Sequence, residues 1–577
     1  VQSEVTSLKY LAAAFDYDGT LASDGRVFPS TVEALKRLKE SGRKILMVTG
    51  REIDDLLRVF PEVEMFDLIV AENGALIYDP ATKKEQKLTE DCSQDLLAAL
   101  RKRDVKPINH GRCIISTWEP FHQATLDAIK ELGLELQIIF NKGSVMVLPS
   151  GVNKGTGLVT ACEQMGLSPH NVIGGGDAEN DHAFMSLCQV AVAVSNALPS
   201  VKERADLVTE NDHGAGIEEM IDMLLKDEFA NCKMTRHDQL LGKNIKGEDV
   251  KFAALGTNIL IAGPSGSGKS NATLGILDTL SQADYQFCLI DPEGDYESFG
   301  NAVVLGDAKR APSADEVMQL LKNPKSNAIV NLLGLKLEDR PAYFSAIFPR
   351  LQEMRGDFGR PHYIVIDEAH HIFPRDWQPA ESFVPHELKG LIMITVHPTT
   401  VSPVILKGLD LLLTIGEEPE ETVRNLANVA GYKMPKLNKT KLEKGQSLIW
   451  CPLKEDSPQV VNLELSSIER RRHRRKYAEG YLGEERSFYF TGPHKLKLRA
   501  QNLITFSQLA NGVDDDTWLY HLKRHEYSKW FREIIKDDAL AEVARAVEDS
   551  ENISTEESKQ RVLDAIEERY TLPVETK

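Results

Sequence analysis

Short apolar runs recur through the first 225 or so residues: AAAFDYD, KILMVTG, DLIVAEN, SVMVLPS, NVIGGGD and VAVAV. Segments with helical spacing such as TVEALKRLKE separate several of them, and this alternation predicts a parallel sheet covered by helices. Carboxylates and small residues gather where the runs end. Open α/β sheets place their sites at those strand ends. Between Ala75 and Ser150 the pattern changes, with CIISTW and LQIIFN flanking the helix-like DLLAALRKR and QATLDAIKELG. This predicts a small α/β cap inserted over about residues 75–150.

A polar, basic stretch, NCKMTRHDQLLGKNIKGEDVK, separates this unit from a second alternating series that begins at NILIAG. Its strands are FCLIDPE, NAIVNLLG, HYIVIDE, LIMITVH and LLLTIG, ending near KGQSLIWCP. A charge-dense linker or exposed helix, ERRRHRRKYAEGYLGEE, follows, and the remaining hundred or so residues read as mainly helical. Punctuation of this kind divides the chain into residues 1–231, 232–465 and 466–577. A chain of 577 residues is too long for one ordinary core in any case.

Composition narrows the class without naming a chemistry. With 42% hydrophobic and 27% charged residues, and no run approaching the 18 apolar residues of a membrane span, the chain reads as globular. VQSEVTSLKY lacks the pattern of a secretory signal, and the seven cysteines form no CxxC pair, so a cytoplasmic protein with reduced thiols is expected. A formal net charge of −19 opposes indiscriminate nucleic-acid binding but leaves room for a local basic channel.

Two carboxylates, Asp16 and Asp18, end the first apolar run and are followed at once by Gly19 and Thr20. One can attack phosphorus while the other handles protons. Thr49 in VTGR, Lys154 in GVNKGTGL, and Asp177 and Asp181 in GGGDAENDHAF follow in chain order. A hydroxyl and an ammonium suit phosphoryl oxygens, and several carboxylates suit Mg²⁺. Over about residues 8–226 these motifs resemble the haloacid dehalogenase superfamily, specifically its Cof-type capped phosphatases. The resemblance implies a Rossmann-like core with an inserted cap. It implies Asp16 as the nucleophile that forms an aspartyl-phosphate, Asp18 as acid/base, and Thr49 and Lys154 as phosphate binders. Mg²⁺ would be held by Asp16, the carbonyl of Asp18, and Asp177, supported by Asp181. Asn73 in AENGA and Asn180 in ENDH match positions that the family commonly uses near phosphate or cap.

The second series opens with GPSGSGKS, which fits GxxxxGKS between a strand and a helix-like segment. Gly263, Pro264, Ser265, Gly266, Ser267 and Gly268 would wrap phosphates, Lys269 would reach the β and γ phosphates of ATP, and Ser270 would offer a Mg²⁺ ligand. About a hundred residues on, HYIVIDEAHH ends in Asp367, which can orient Mg²⁺ through water, and Glu368, which can polarise an attacking water. Over about residues 236–455 these motifs, with CLIDPEGDYE and LIMITVHPTTVSP, resemble HerA-type and FtsK-like ATPases. That resemblance implies a RecA-like P-loop NTPase domain, nucleotide bound between subunits, and a homo-oligomeric, typically hexameric, ring. His397 departs from the family's usual glutamine after the fourth strand, although its ring N–H could still sense γ-phosphate. Arg350, Arg355 and Arg360, just before the DEAH strand, are candidates for a trans-acting finger.

In the C-terminal region ERRRHRRK reads as a solvated linker, and Trp518, Tyr520, His521, Tyr527, Trp530 and Phe531 read as packing residues rather than a base-stacking platform. The leading expectation is a Mg²⁺-dependent phosphomonoesterase fused to an ATP-hydrolysing motor or assembly domain, acting on a phosphorylated small molecule, a nucleotide or a nucleic-acid end. A bifunctional kinase and phosphatase is one alternative. A ring-forming scaffold that only binds a phosphorylated metabolite is another.

Overall fold

The computed structural model describes residues 8–141, 143–297, 299–376, 389–454, 457–464, 487–493, 496–535, 537–550 and 553–570. The charge-dense segment 469–485, with its ERRRHRRK run, lies outside these residues. The chain forms two compact units, Val1–Glu464 and Leu465–Lys577.

The first unit contains two large sheets. In the N-terminal one, eight strands run in the order Leu207–Val208, Val190–Ala193, Val172–Gly176, Ala12–Phe15, Lys44–Val48, Leu68–Ala71, Leu76–Asp79 and Lys84–Lys87. The first six are parallel. Ala12–Phe15 is buried along its whole length because helices cover both faces, which is why its sequence is apolar without alternation. The last two strands form an antiparallel hairpin on this sheet, so the inserted unit begins after Lys87 rather than near residue 75.

That insert is a four-stranded antiparallel sheet in the order Leu136–Asn141, Ser144–Pro149, Ile115–Trp118 and Asn109–His110. SVMVLPS, expected among the parallel strands, belongs here. It follows Leu136–Asn141 after only two residues, and so short a connection permits antiparallel pairing alone.

The second sheet has eleven strands. Seven are parallel, in the order Leu411–Thr414, Ile259–Ala262, Leu391–Thr395, Tyr363–Ile366, Phe287–Asp291, Ala328–Asn331 and Val303–Leu305. Four antiparallel strands extend it beyond Leu411–Thr414: Gln446–Trp450, Gln459–Leu463, Gln239–Asn244 and Asp249–Phe252. Much of the stretch expected to be a basic connector is therefore a hairpin of this sheet. Its remaining part is tied down as well, since Arg236 donates to the carbonyls of Ser186 and Cys188 and pairs with Asp206.

The two sheets meet along a packed seam. The His170 ring stacks on Tyr285 with centroids 3.8 Å apart, and its Nε2–H donates to the carbonyl of Ala283 at 2.7 Å. The Tyr285 hydroxyl donates to Gln189 Oε1 at 2.7 Å, and Asn171 Nδ2 donates to the carbonyl of Gly359 at 3.1 Å.

The second unit comprises the hairpin Phe488–Phe490/Leu498–Ala500 and helices Leu503–Gly512, Asp515–Leu522, Glu526–Glu533, Asp538–Glu548 and Thr555–Tyr570. Trp518, Tyr527, Trp530 and Phe531 are buried in one cluster with Phe488, Phe490 and Phe506, so these aromatics build a core. Trp518 stacks on Tyr527 at 4.3 Å and donates from Nε1 to Ser558 Oγ at 2.9 Å. Trp518→Ala should therefore cost this unit about 3–5 kcal/mol. Limited proteolysis over a temperature series should show its cleavage beginning at lower temperature than in the wild type.

Candidate functional site

The first cluster forms where three neighbouring strands of the N-terminal sheet end. The chain leaves Ala12–Phe15 at Asp16 and turns back through Gly19, whose φ of +94° suits glycine, with Ala22 N–H bonded to the Tyr17 carbonyl at 2.8 Å. Thr49 follows Lys44–Val48, and Asp177 follows Val172–Gly176. Lys154 is the first residue of helix Lys154–Gln164, which Asn153 and Thr156 cap reciprocally. A cation at a helix N-terminus opposes the helix dipole. Its compensation is local: Nζ lies 2.5 Å from Asp16 Oδ1 and 2.6 Å from Asp181 Oδ1.

Asp16, Asp177, Asp181 and Lys154 are all buried. Asp181 Oδ2 accepts from the N–H groups of Asp177 (2.9 Å) and Ala178 (2.8 Å), and Thr20 Oγ1 donates to Asp177 Oδ1 at 3.0 Å. Burial, reinforced by Asp181, pushes the Asp16 carboxyl well above the usual range, against the pull of Lys154. Asp16, Asp177 and Asp181 offer oxygens within 4.8 Å of one another. Three carboxylates facing one ammonium leave an excess of negative charge, and the donors are all hard oxygens. This set fits an oxygen-seeking divalent cation such as Mg²⁺.

The remaining predicted residues are placed differently. The Asp18 carboxylate turns to Arg51, which meets its two oxygens with two donors, each at 2.7 Å, and also pairs with Asp55. Sequence reading missed Arg51, although it stands two positions after Thr49 in the same VTGR motif, and its N–H donates to Thr49 Oγ1 at 3.1 Å. Asn180 Nδ2 donates to Asn73 Oδ1 at 3.1 Å. Ser270 lies in the helix that follows strand Ile259–Ala262, far along the chain from these acids.

Glu72 also escaped the sequence reading. It is fully buried, and its two oxygens accept from Arg112 N–H (2.8 Å) and Cys113 N–H (2.7 Å), which ties the insert to the core. Glu72 and Asn73 both adopt left-handed backbone, with φ of +52° and +55°, a local strain of the kind that collects at functional sites. From the insert, Met146 reaches over the turn after Thr49, its Cε 3.2 Å from where a Cβ on Gly50 would stand.

The second cluster lies at strand ends of the eleven-stranded sheet. Residues Gly263 to Gly268 form a turn between strand Ile259–Ala262 and helix Lys269–Gln282, with φ of +77° at Gly266 and +104° at Gly268. A Cβ on Gly263 would come within 2.1 Å of the Ile415 carbonyl oxygen. The turn includes Pro264, Ser265 and Ser267, and Ser270 begins the helix beside Lys269. Lys269 Nζ donates to the carbonyls of Gly263 (2.9 Å) and Pro264 (3.0 Å). Burial lowers its pKa, opposed by Glu368 and Asp367.

Asp367 and Glu368 follow Tyr363–Ile366, and burial raises both carboxyls, that of Asp367 well above the ordinary range. Asp291, at the end of the neighbouring strand, is pushed up to about 6 by burial while accepting from the N–H groups of Asp295 and Tyr296. The side chain beside Glu368 is His370, whose Nδ1 lies 3.3 Å from Glu368 Oε2 and 3.3 Å from Thr395 Oγ1. His397 contributes its carbonyl, which accepts from Thr400 Oγ1 at 2.6 Å.

The candidate finger arginines have internal tasks. Arg350 pairs with Asp315, and Arg355 donates to the carbonyls of Pro361, Lys389 and Gly390. Arg360 is 1% exposed within the seam. Side chains held by carbonyls of their own fold are not free to reach a neighbour's phosphate, which corrects the finger expectation for Arg355 and Arg360.

A family model described as haloacid dehalogenase-like hydrolase matches residues 13–116 and 116–221. Phosphoglycolate phosphatase 2 of Saccharolobus solfataricus is 32% identical over 228 residues, spanning 38% of this chain and 94% of that protein. The N-terminal region of this chain, about residues 13–221, belongs to the haloacid dehalogenase-like hydrolases. The phosphoglycolate phosphatase of Methanothermobacter thermautotrophicus is 28% identical over 216 residues, 36% of this chain and 96% of its own. Among solved structures, a haloacid dehalogenase-like hydrolase from Bacteroides thetaiotaomicron is 19% identical, covering 37% of this chain and 99% of that one, with a TM-score of 0.33. The N-terminal domain is thus a Cof-type phosphatase of the haloacid dehalogenase-like class.

The Lys154 helix gives this phosphatase a sensitive point. Gly74 has φ of +102°, and a Cβ there would stand 2.0 Å from the carbonyl oxygen of Asn153, the helix cap. Gly74→Ala should displace Lys154 and lower phosphatase kcat by about tenfold or more in steady-state assays, with the far-UV circular dichroism retained.

Proposed function

We propose that the N-terminal domain hydrolyses the phosphate monoester of a small hydroxy acid, of the phosphoglycolate class for which its relatives are named, through an aspartyl-phosphate on Asp16. The observation that carries this reading is Lys154 Nζ held between Asp16 and Asp181 inside the buried acidic cluster. Lys154 and Thr49 bind phosphoryl oxygens while Asp16 Oδ attacks phosphorus and the ester oxygen leaves. Asp18, on leaving its pair with Arg51, gives that oxygen its proton, then takes one from the water that cleaves the acyl-phosphate. Asp16, Asp177 and Asp181 would hold Mg²⁺, which supplies charge compensation between nucleophile and phosphate. The relatives' names favour a small phosphorylated metabolite over the nucleotide or nucleic-acid end that the sequence left open.

For residues 232–465 we infer an ATP-hydrolysing P-loop domain that assembles into a ring. Support comes from the glycine turn that opens the Lys269 helix and from Asp367 and Glu368 two strands away across the sheet. The central strand order is of the kind in which such sites form at parallel strand ends. Lys269 and Ser270 would serve the nucleotide phosphates, Ser270 and Asp367 would help hold a Mg²⁺ that offsets their charge, and Glu368 would polarise the attacking water. His370, with Nδ1 3.3 Å from Glu368 Oε2, would steady that carboxylate.

Two variants separate the two chemistries. Asp16→Asn should reduce Mg²⁺-dependent phosphoglycolate hydrolysis by about a thousandfold or more while leaving ATP turnover intact, because an amide forms no acyl-phosphate. Full phosphatase activity in that variant would remove Asp16 as nucleophile. Glu368→Gln should still bind ATP in equilibrium dialysis but hydrolyse it about a hundredfold more slowly. Light scattering on this variant with ATP should report a ring-sized mass, and a monomer that binds ATP would defeat the ring.

A further inference from the structure

The Arg360 guanidinium donates from Nε to the Gly166 carbonyl (2.6 Å), from Nη1 to Gln286 Oε1 (3.1 Å) and the Leu321 carbonyl, and from Nη2 to the Lys322 carbonyl (2.7 Å). These acceptors are neutral, so burying the cation costs desolvation that no carboxylate among them offsets. An apolar side chain of similar volume would pack there at lower cost. What it could not do is grip oxygens of both sheets at once in a fixed planar fork.

The grip falls on one particular turn. Gly166 lies between helix Lys154–Gln164 and strand Val172–Gly176. The helix carries Lys154 at its first position, and the strand delivers Asp177 just beyond its end. The second sheet holds this turn at further points, through Asn171 on the Gly359 carbonyl and His170 on Tyr285 and the Ala283 carbonyl. Gly166 has φ of +70°, and a Cβ there would stand 3.0 Å from the Phe358 ring, so the turn is fitted closely to its neighbour.

We propose that Arg360, supplied by the second domain, is a positioning residue of the phosphatase. By fixing the Gly166 turn it fixes the origin of two rigid elements, whose far ends set Lys154 against Asp16 and place Asp177 beside them. A helix of eleven residues is a rod of about 16 Å. In a close-packed core, displacement of one end moves the other. Misplacement by about 1 Å in a catalytic array can cost up to about a hundredfold in rate. The inference rests on the reading of Lys154 and Asp177 as phosphatase residues.

The test uses the full chain with phosphoglycolate and Mg²⁺, and compares Arg360→Ala, Arg360→Lys, Asn171→Ala and the double variant Arg360→Lys/Asn171→Ala. Arg360→Ala should lower kcat about tenfold with KM within about twofold, and should speed amide hydrogen exchange across residues 154–176. Arg360→Lys, which keeps the charge but loses the fork, should recover part of the rate. It should combine with Asn171→Ala less than multiplicatively, because both act on one turn. Lys325→Ala, which breaks the exposed Lys325–Glu163 pair on the same seam, should leave kcat unchanged. If Arg360→Ala does not fold, Arg360→Lys and Asn171→Ala carry the comparison. Wild-type kcat in the folded Arg360 variants, or a lowered kcat with unchanged exchange across 154–176, overturns the proposal. A fully active Asp16→Asn would instead bring down the reading of the site beneath it, whatever the Arg360 variants do.

Discussion

Carboxylates taken out of water must be compensated, and the N-terminal domain is organised around meeting that requirement. Asp16, Asp177 and Asp181 are buried at strand ends, where the parallel sheet leaves backbone N–H groups and a helix start within reach. Two N–H groups are spent on Asp181 and a threonine hydroxyl on Asp177. Lys154 adds a full positive charge, bonded to both Asp16 and Asp181. The capping box, the tight approach of Gly74 to Asn153 and the strained Glu72–Asn73 backbone all serve to bring that ammonium and the insert to the same place.

The second sheet sets the same problem with a different answer. Asp291, Asp367 and Glu368 also end buried parallel strands, and their carboxyls are likewise pushed up by burial. Here the lysine does not bind them directly but is held by carbonyls of its own turn. The first site is closed on itself by ion pairs. The second keeps its cation and its acids apart, an arrangement suited to a ligand that contacts both.

Residues at the ends of apolar runs were legible from sequence, because a buried strand followed by an acid, a glycine or a hydroxyl is a local pattern. Asp16, Thr49, Lys154, Asp177 and Asp181 announce themselves in this way even though well over a hundred residues separate the first from the last. Arg51, Glu72 and Arg360 did not, since their roles depend on partners elsewhere in the chain. Glu72 acts on N–H groups about forty positions away, and Arg360 on a carbonyl 194 positions away. SVMVLPS was assigned to the wrong sheet for a related reason: its apolar content suits any buried strand, and only the two-residue connection to its partner decides the direction. The hairpin within NCKMTRHDQLLGKNIKGEDVK was hidden by polarity, as edge strands often are.

The seam joins the two large sheets where their strands begin. Gly166 to Asn171 precede Val172–Gly176, Gln286 precedes Phe287–Asp291, and Arg360 to His362 precede Tyr363–Ile366, whereas Asp177, Asp291 and Asp367 lie at the opposite ends of those strands. A length of packed sheet, roughly 15 Å on either side, therefore stands between each cluster and the seam. A side chain at the seam therefore bears on either cluster only through the strands and helices that run between them, as a shift in where those elements start rather than as a direct contact.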